Sequence, residues 1–188
     1  HIGYGLLSLK EALQLCFESD FETVEMHFAL EGKSSAMIGE MDRSFRFEQH
    51  QHNIIYANEM CGEMRWESEC FRLCEINLSP AFFKKFLPEN TKCFERFRTA
   101  IEKGRSGMLR PQHCRINHQM YTILNAIMNC QRQGIFKKMF LEAKVIELLL
   151  LQLEQFAERD VPGTSLSKAD IDKLYAVREF MMAHLDDT

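Results

Sequence analysis

His50-Gln51-His52 is the cluster in this chain most suited to holding a metal. On a strand, side chains at i and i+2 share a face, so His50 and His52 could bind one ion. Sites of that kind draw an acidic ligand from a few residues further on and another His from a distant strand. Here Glu59 lies too far along, and no His falls between His52 and His113. Two polar histidines on a strand face or in a turn account for the pair without a metal. Cys70 and Cys74 have no second Cys or His pair beside them, and His113, Cys114 and His118 share no single helix face. There is no glycine-rich phosphate loop, no G-x-S-x-G and no H-E-x-x-H. The sequence therefore assigns no catalytic residue, no metal ligand set and no cofactor.

The elements that would position such groups change character near residue 78. From Thr23 to Leu30, Val24, Met26, Phe28 and Leu30 alternate with Glu25 and His27, the pattern of a half-buried strand. Glu31-Gly32-Lys33-Ser34 reads as a turn into a partner strand at 35–38. Further short strands are expected around Phe45 and Phe47, at 54–56, at 63–66 and at 71–76. Few short strands separated by polar turns make a small β-barrel or sandwich, half-open and needing cover on one side. Alternation turns Met26 and Phe28 inward. With Tyr56 and Trp66 they could wall an apolar pocket, with His52 at its rim. The same side chains could instead meet and fill the centre.

Beyond residue 78 the period becomes helical. Ser79-Pro80 is an N-cap followed by a proline suited to the first helical position. A second short helix should follow Asn90 or Thr91, carrying Phe94, Phe97 and Ile101. A third is expected over 115–133, with Gly134 closing it, and a fourth over 136–158. In the fourth, Ala143 to Leu153 is apolar around most of its circumference, whereas one buried face needs little more than a 100° arc. Either this helix is central to its own protomer or it pairs with a second copy, through Ile146, Leu149, Leu150 and Leu153. After Pro162-Gly163, a last helix is expected from Ser167 to Leu185.

The charge balance is 23 basic to 27 acidic residues, a net −4, without the basic excess by which a domain grips nucleic acid unaided. Seven cysteines, an odd number without dense spacing, suit a reducing cytoplasm. No apolar run approaches the roughly 20 residues of a membrane helix, so no membrane partner is expected.

Leu141-Glu-Ala-Lys-Val-Ile-Glu-Leu-Leu-Leu-Leu-Gln-Leu-Glu-Gln155 and Leu166-Ser-Lys-Ala-Asp-Ile-Asp-Lys-Leu-Tyr-Ala-Val-Arg-Glu-Phe-Met-Met-Ala-His-Leu185 resemble AraC/XylS-family transcription regulators, in the branch of the pyochelin-responsive regulator. Gln51 to Tyr56 and Ile76 to Phe83 are similar to that branch too. The resemblance implies an α+β protein in three parts. Residues 1–78 would be a cupin-like effector-binding region, 79–160 a helical dimerisation region, and 161–188 a linker with the first helix of a DNA-binding domain. It implies a non-enzymatic bacterial regulator that works as a homodimer, answers a small-molecule effector and reaches DNA only through recognition helices beyond Thr188. The readings from other classes are a cupin-like metal enzyme using His50 and His52, and a dimerisation module with no effector.

Overall fold

The computed structural model describes residues 1–38, 44–58, 60–89 and 91–158, with Lys173, Leu174 and Val177 beyond them. Among these, ten strands form two antiparallel sheets. The larger runs β1 (Ile2–Ser8), β8 (Cys70–Leu78), β3 (Thr23–Glu31) and β6 (Gln51–Ala57). Two short strands, β9 (Gly107–Met108) and β10 (Cys114–Arg115), pair with the outer edge of β6. The smaller sheet runs β2 (Leu13–Ser19), β7 (Met60–Trp66), β4 (Ser34–Ile38) and β5 (Ser44–Phe47). The two sheets face each other as a sandwich, so the α+β class with a cupin-like sandwich is what forms. The expected set of strands is extended by β1 and β2, which the sequence reading did not include although Leu13, Leu15 and Phe17 of β2 alternate with Gln14 and Glu18. Gly32 makes the tight β3–β4 turn possible. Its φ is +82°, and a Cβ there would lie 2.4 Å from the Cys70 carbonyl oxygen.

Four helices cover the outer face of the larger sheet: α1 (Pro80–Phe83), α2 (Lys92–Glu102), α3 (His118–Met128) and α4 (Gly134–Glu158). Ser79 caps α1 as its side chain accepts from the Phe82 amide, with Pro80 just inside. Asn117 caps α3 through the Met120 amide, so that helix starts later than periodicity suggests. Gly134 does not close α3; it opens α4 in a left-handed conformation. The main core lies between sheet and helices. Val24, Met26, Phe28, Ile54, Tyr56, Cys74 and Ile76 meet Phe83, Phe94, Phe97, Met120, Leu124, Leu148 and Phe156 there. Two stretches after residue 78, β9 and β10, return to the larger sheet, so strands and helices interleave across that expected boundary. The last helix, expected over 167–185, lies outside the described residues apart from the three named above.

Candidate functional site

β3 is covered on both faces, which period 2 in its sequence could not show. Its apolar face packs on the helices. Its other face, Thr23, Glu25 and His27, looks at the smaller sheet. Pairing carries that face across the sheet: His27 lies opposite Glu75 on β8 and Asn53 on β6, and Glu25 opposite Asn77 and Ile55. Above this polar floor stand Phe17, Ser34, Ala36, Phe45, Phe47 and Met64 from the smaller sheet. Between the two lies a cavity of about 290 Å³. Its walls are apolar and aromatic, its polar groups are concentrated on β3 and β8, and no Lys or Arg stands among the described residues that line it.

His27 is the centre of the polar group and is 4% exposed. Its Nδ1–H donates to Glu25 Oε1 at 2.8 Å, and Glu75 Oε1 lies 3.7 Å from the same nitrogen. Its Nε2 is buried with no hydrogen-bond partner. Burial acts to lower the imidazole pKa. The hydrogen bond to Glu25 and the charges of Glu25 and Glu75 outweigh it and hold His27 above its ordinary value. Burial and the charge of Glu25 push the Glu75 carboxyl up to about 7, against the pull of His27. The Phe47 ring packs on His27 from one side, with centroids 4.2 Å apart, and stacks on His113 from the other at 3.9 Å.

His113 carries a test of this packing. Burial, with the nearby charge of His27, depresses its pKa from 6.5 to about 4. A depressed histidine favours the fold when neutral. That contribution is present above the unfolded value and is lost as pH falls from 6.5 toward 4. Wild type should lose about 2 kcal/mol of stability between pH 7.5 and 4.5 that His113→Gln does not lose. Urea unfolding at the two pH values measures the difference, and equal losses in both proteins would contradict the assignment.

The side chains that the sequence singled out for a pocket are placed elsewhere. Met26, Phe28, Tyr56 and His52 turn to the helices and are fully buried there. Alternation divides these residues correctly into two faces, but the apolar face meets helices and the polar one meets the cavity. Trp66 alone of the five lies between the sheets, on the same face as Ser34 and Met64 and packed edge-on against Phe71. Tyr56 Oη donates to Glu22 at 2.5 Å. His52 and His50 do not share a site. A turn with φ +64° at His50 breaks the alternation, and His50 bonds Tyr121 while His52 faces α4. Gln152 Nε2 donates to His52 Nδ1 at 2.9 Å, so His52 Nε2–H donates to Gln155 Oε1 at 2.6 Å. Sequence reading passed over Glu25, His27 and Glu75. The signal available was an acidic and a basic side chain at i and i+2 within Val24–Leu30, a stretch otherwise wholly apolar.

Of the four pairing candidates on α4, Leu149 and Leu153 are 1% and 5% exposed and belong to the protomer's own core. Ile146 and Leu150 are 40% and 53% exposed. With Phe136, Met139 and Ala143 they form an outward stripe spaced 3, 4, 3 and 4 residues apart.

The model of the regulatory protein PchR N-terminal domain matches residues 7–168 of the chain. The chain belongs to this family of regulatory domains. The likeness to the branch of the pyochelin-responsive regulator is thereby borne out over 141–155, while the segment 166–187 lies almost wholly beyond the matched residues. Among solved structures, ToxT of Vibrio cholerae bound to an unsaturated fatty acid is similar with a TM-score of 0.50 at 11% identity, covering 83% of this chain and 55% of that one. A second ToxT structure, with a naphthalenyl butenoic acid, gives 0.47 at 10% identity over 83% of this chain and 57% of that one. The first of these likenesses concerns the fold alone, and the chain spans about half the length of either. No curated protein sequence matches it. Among the described residues no helix is long and apolar enough to cross a membrane.

Proposed function

We propose that this regulatory domain senses a small effector in the cavity between its sheets and passes the signal to a dimer formed by α4, with DNA contacted by a separate domain. The observation that carries this reading is the cavity itself, an apolar aromatic chamber with one cluster of ionisable groups, the usual anatomy of a small-molecule site. ToxT is a protein of similar fold bound to an unsaturated fatty acid. Here the floor presents two carboxylates around the single imidazole of His27, and no Lys or Arg stands among the described residues that line it, so a fatty-acid anion would find no fixed cation to pair with and a neutral or cationic ligand is favoured.

The route outward is short. The cavity floor and the His52 contact are opposite faces of the same strands: Asn53 and Ile55 look inward, while His52 is held by Gln152 and Gln155 of α4. The Arg110 guanidinium donates to the Phe156 carbonyl at 2.7 Å and adds a second tie to the end of α4. A ligand that favours one arrangement of the larger sheet biases the seat of α4 by the same free energy. The exposed stripe on α4 has the 3.5-residue period by which two helices pack along one seam. The occupant it fits is a second copy of this chain around a two-fold axis. These features, and not a metal site at His50 and His52, make a regulator of the domain; its family membership agrees.

Thermal unfolding tests the effector reading. At 100 times its Kd a ligand adds about 2.7 kcal/mol, roughly 5–10 °C in Tm for a domain of this size. The panel is aromatic amines and neutral ring compounds. The expected result is a shift for at least one, absent in Ala36→Trp, whose indole fills the chamber. A shift that survives Ala36→Trp, or none across the panel, would leave a dimerisation module without an effector.

A further inference from the structure

We propose that Glu25, His27 and Glu75 bind a first-row divalent metal cation inside the sandwich. The proposal rests on the reading of this cavity as the ligand site and names what its polar floor holds. Pairing alone brings the three together: Glu25 and His27 are i and i+2 on β3, and Glu75 is the cross-strand partner of His27 on β8. One donor atom from each lies within 4.8 Å of the others. Around an ion with bonds of about 2.0–2.2 Å, neighbouring donors sit about 3–3.5 Å apart. The Nδ1 contacts of 2.8 and 3.7 Å already bracket that spacing. A swing of about an ångström at the half-buried carboxylates closes the set. The backbones that carry them are paired in register.

The second observation is the state of His27 without an ion. Its one hydrogen bond is through Nδ1 to a carboxylate, and its buried Nε2 has no partner. In that bond Nδ1 is the donor and carries the proton. Nε2 then either bears part of an imidazolium charge or keeps a bare lone pair, with no polar atom to receive either. A cation on Nδ1 displaces that proton, which passes to solvent from an imidazolium or to Nε2 in a neutral ring; either way a neutral imidazole with an N–H at Nε2 remains, and two carboxylates that otherwise repel one another are neutralised. A buried neutral N–H costs less than a buried unpaired charge. One imidazole nitrogen and two carboxylate oxygens suit manganese, iron, cobalt or zinc in the divalent state. Three protein ligands leave further positions open to the cavity. An organic ammonium could also meet the carboxylates, but two carboxylate oxygens converging on one imidazole nitrogen leave space for an ion and not for a carbon skeleton.

The test is a titration of the chain, stripped with chelator, with Co²⁺ alone. The expected result is one equivalent bound, with ligand-field bands and no thiolate charge-transfer band. His27→Gln and Glu75→Gln should each weaken binding by about 100-fold or more. Cys16→Ser with Cys61→Ser, which removes two exposed thiols on the adjoining strands β2 and β7, should leave it unchanged. Failure of the wild type to take up Co²⁺ or Mn²⁺ overturns the proposal however the variants fold. So does uptake that survives His27→Gln and Glu75→Gln, or that is lost with the thiols. Benzylammonium raising Tm while no metal binds would also overturn it, and would assign the carboxylates to an organic cation. The effector reading stands or falls separately, on the Ala36→Trp comparison made in the presence of chelator.

Discussion

Phe28→Ala should lower the free energy of unfolding by about 3–5 kcal/mol, while leaving the chamber between the sheets open. Phe28 is fully buried on the helix-facing side of β3, with its ring 5.7 Å from that of His52. It belongs to the cluster that also contains Leu148 and Phe156 of α4. Close packing on all sides means that truncation leaves a void that the sheet cannot collapse to fill, since its backbone is paired with β6 and β8 on either side. Phe45, half-buried at the cavity wall on the smaller sheet, is the control. Its truncation to alanine should cost about 1 kcal/mol, because one face of the ring already meets open space, and it should alter ligand binding instead. Denaturant unfolding of both variants separates the two sides of the strand. A small loss for Phe28→Ala with altered ligand binding would place the pocket on the helix side.

The second large effect concerns association. Ile146→Glu with Leu150→Glu places two carboxylates in the outward stripe of α4 and should convert a dimer to a folded monomer, weakening association by 1,000-fold or more, about 4 kcal/mol. Both side chains are exposed in the protomer, so helix content and cooperative unfolding should be retained. Leu149→Glu, one residue away, should behave in the opposite manner. Leu149 is 1% exposed, and a charge there has no partner in the core, so the protomer itself should unfold. Light scattering and circular dichroism on the same samples distinguish the outcomes. A wild type that scatters as a monomer at high concentration would remove the pairing role of the stripe.

Much of the architecture was legible in the residues. The alternation in Thr23–Leu30 located β3, and the switch of period at Ser79-Pro80 marked where helices begin. The all-round apolar character of 143–153 announced a helix with two faces to cover. β1 escaped notice because Ile2–Ser8 lacks alternation, whereas β2 carried a readable one, Leu13, Leu15 and Phe17 against Gln14 and Glu18. β9 and β10 were missed because two residues have no period at all. The start of α3 was misplaced because Asn117 caps it from within a stretch of helix-compatible residues.

The sequence by itself determined which side chains share a face: Val24, Met26 and Phe28 on one side of β3, Thr23, Glu25 and His27 on the other. It also determined that α4 is apolar around most of its circumference over 143–153, and the family follows from it. Only the tertiary structure decided what each face meets. A period of two is blind to whether a helix or a second sheet lies above a face, so the apolar side of β3 read as a pocket and proved to be the helix-packed core, and the polar side read as solvent and proved to face the chamber. In the same way, helical periodicity left Leu149 and Leu150 equal. They differ because α4 lies on the larger sheet at one rotation about its axis, set by the contacts of Gln152 and Gln155 with His52 on a strand a hundred residues away. Contacts between residues so distant along the chain leave no local signature, and both the chamber and the pairing seam are made of such contacts.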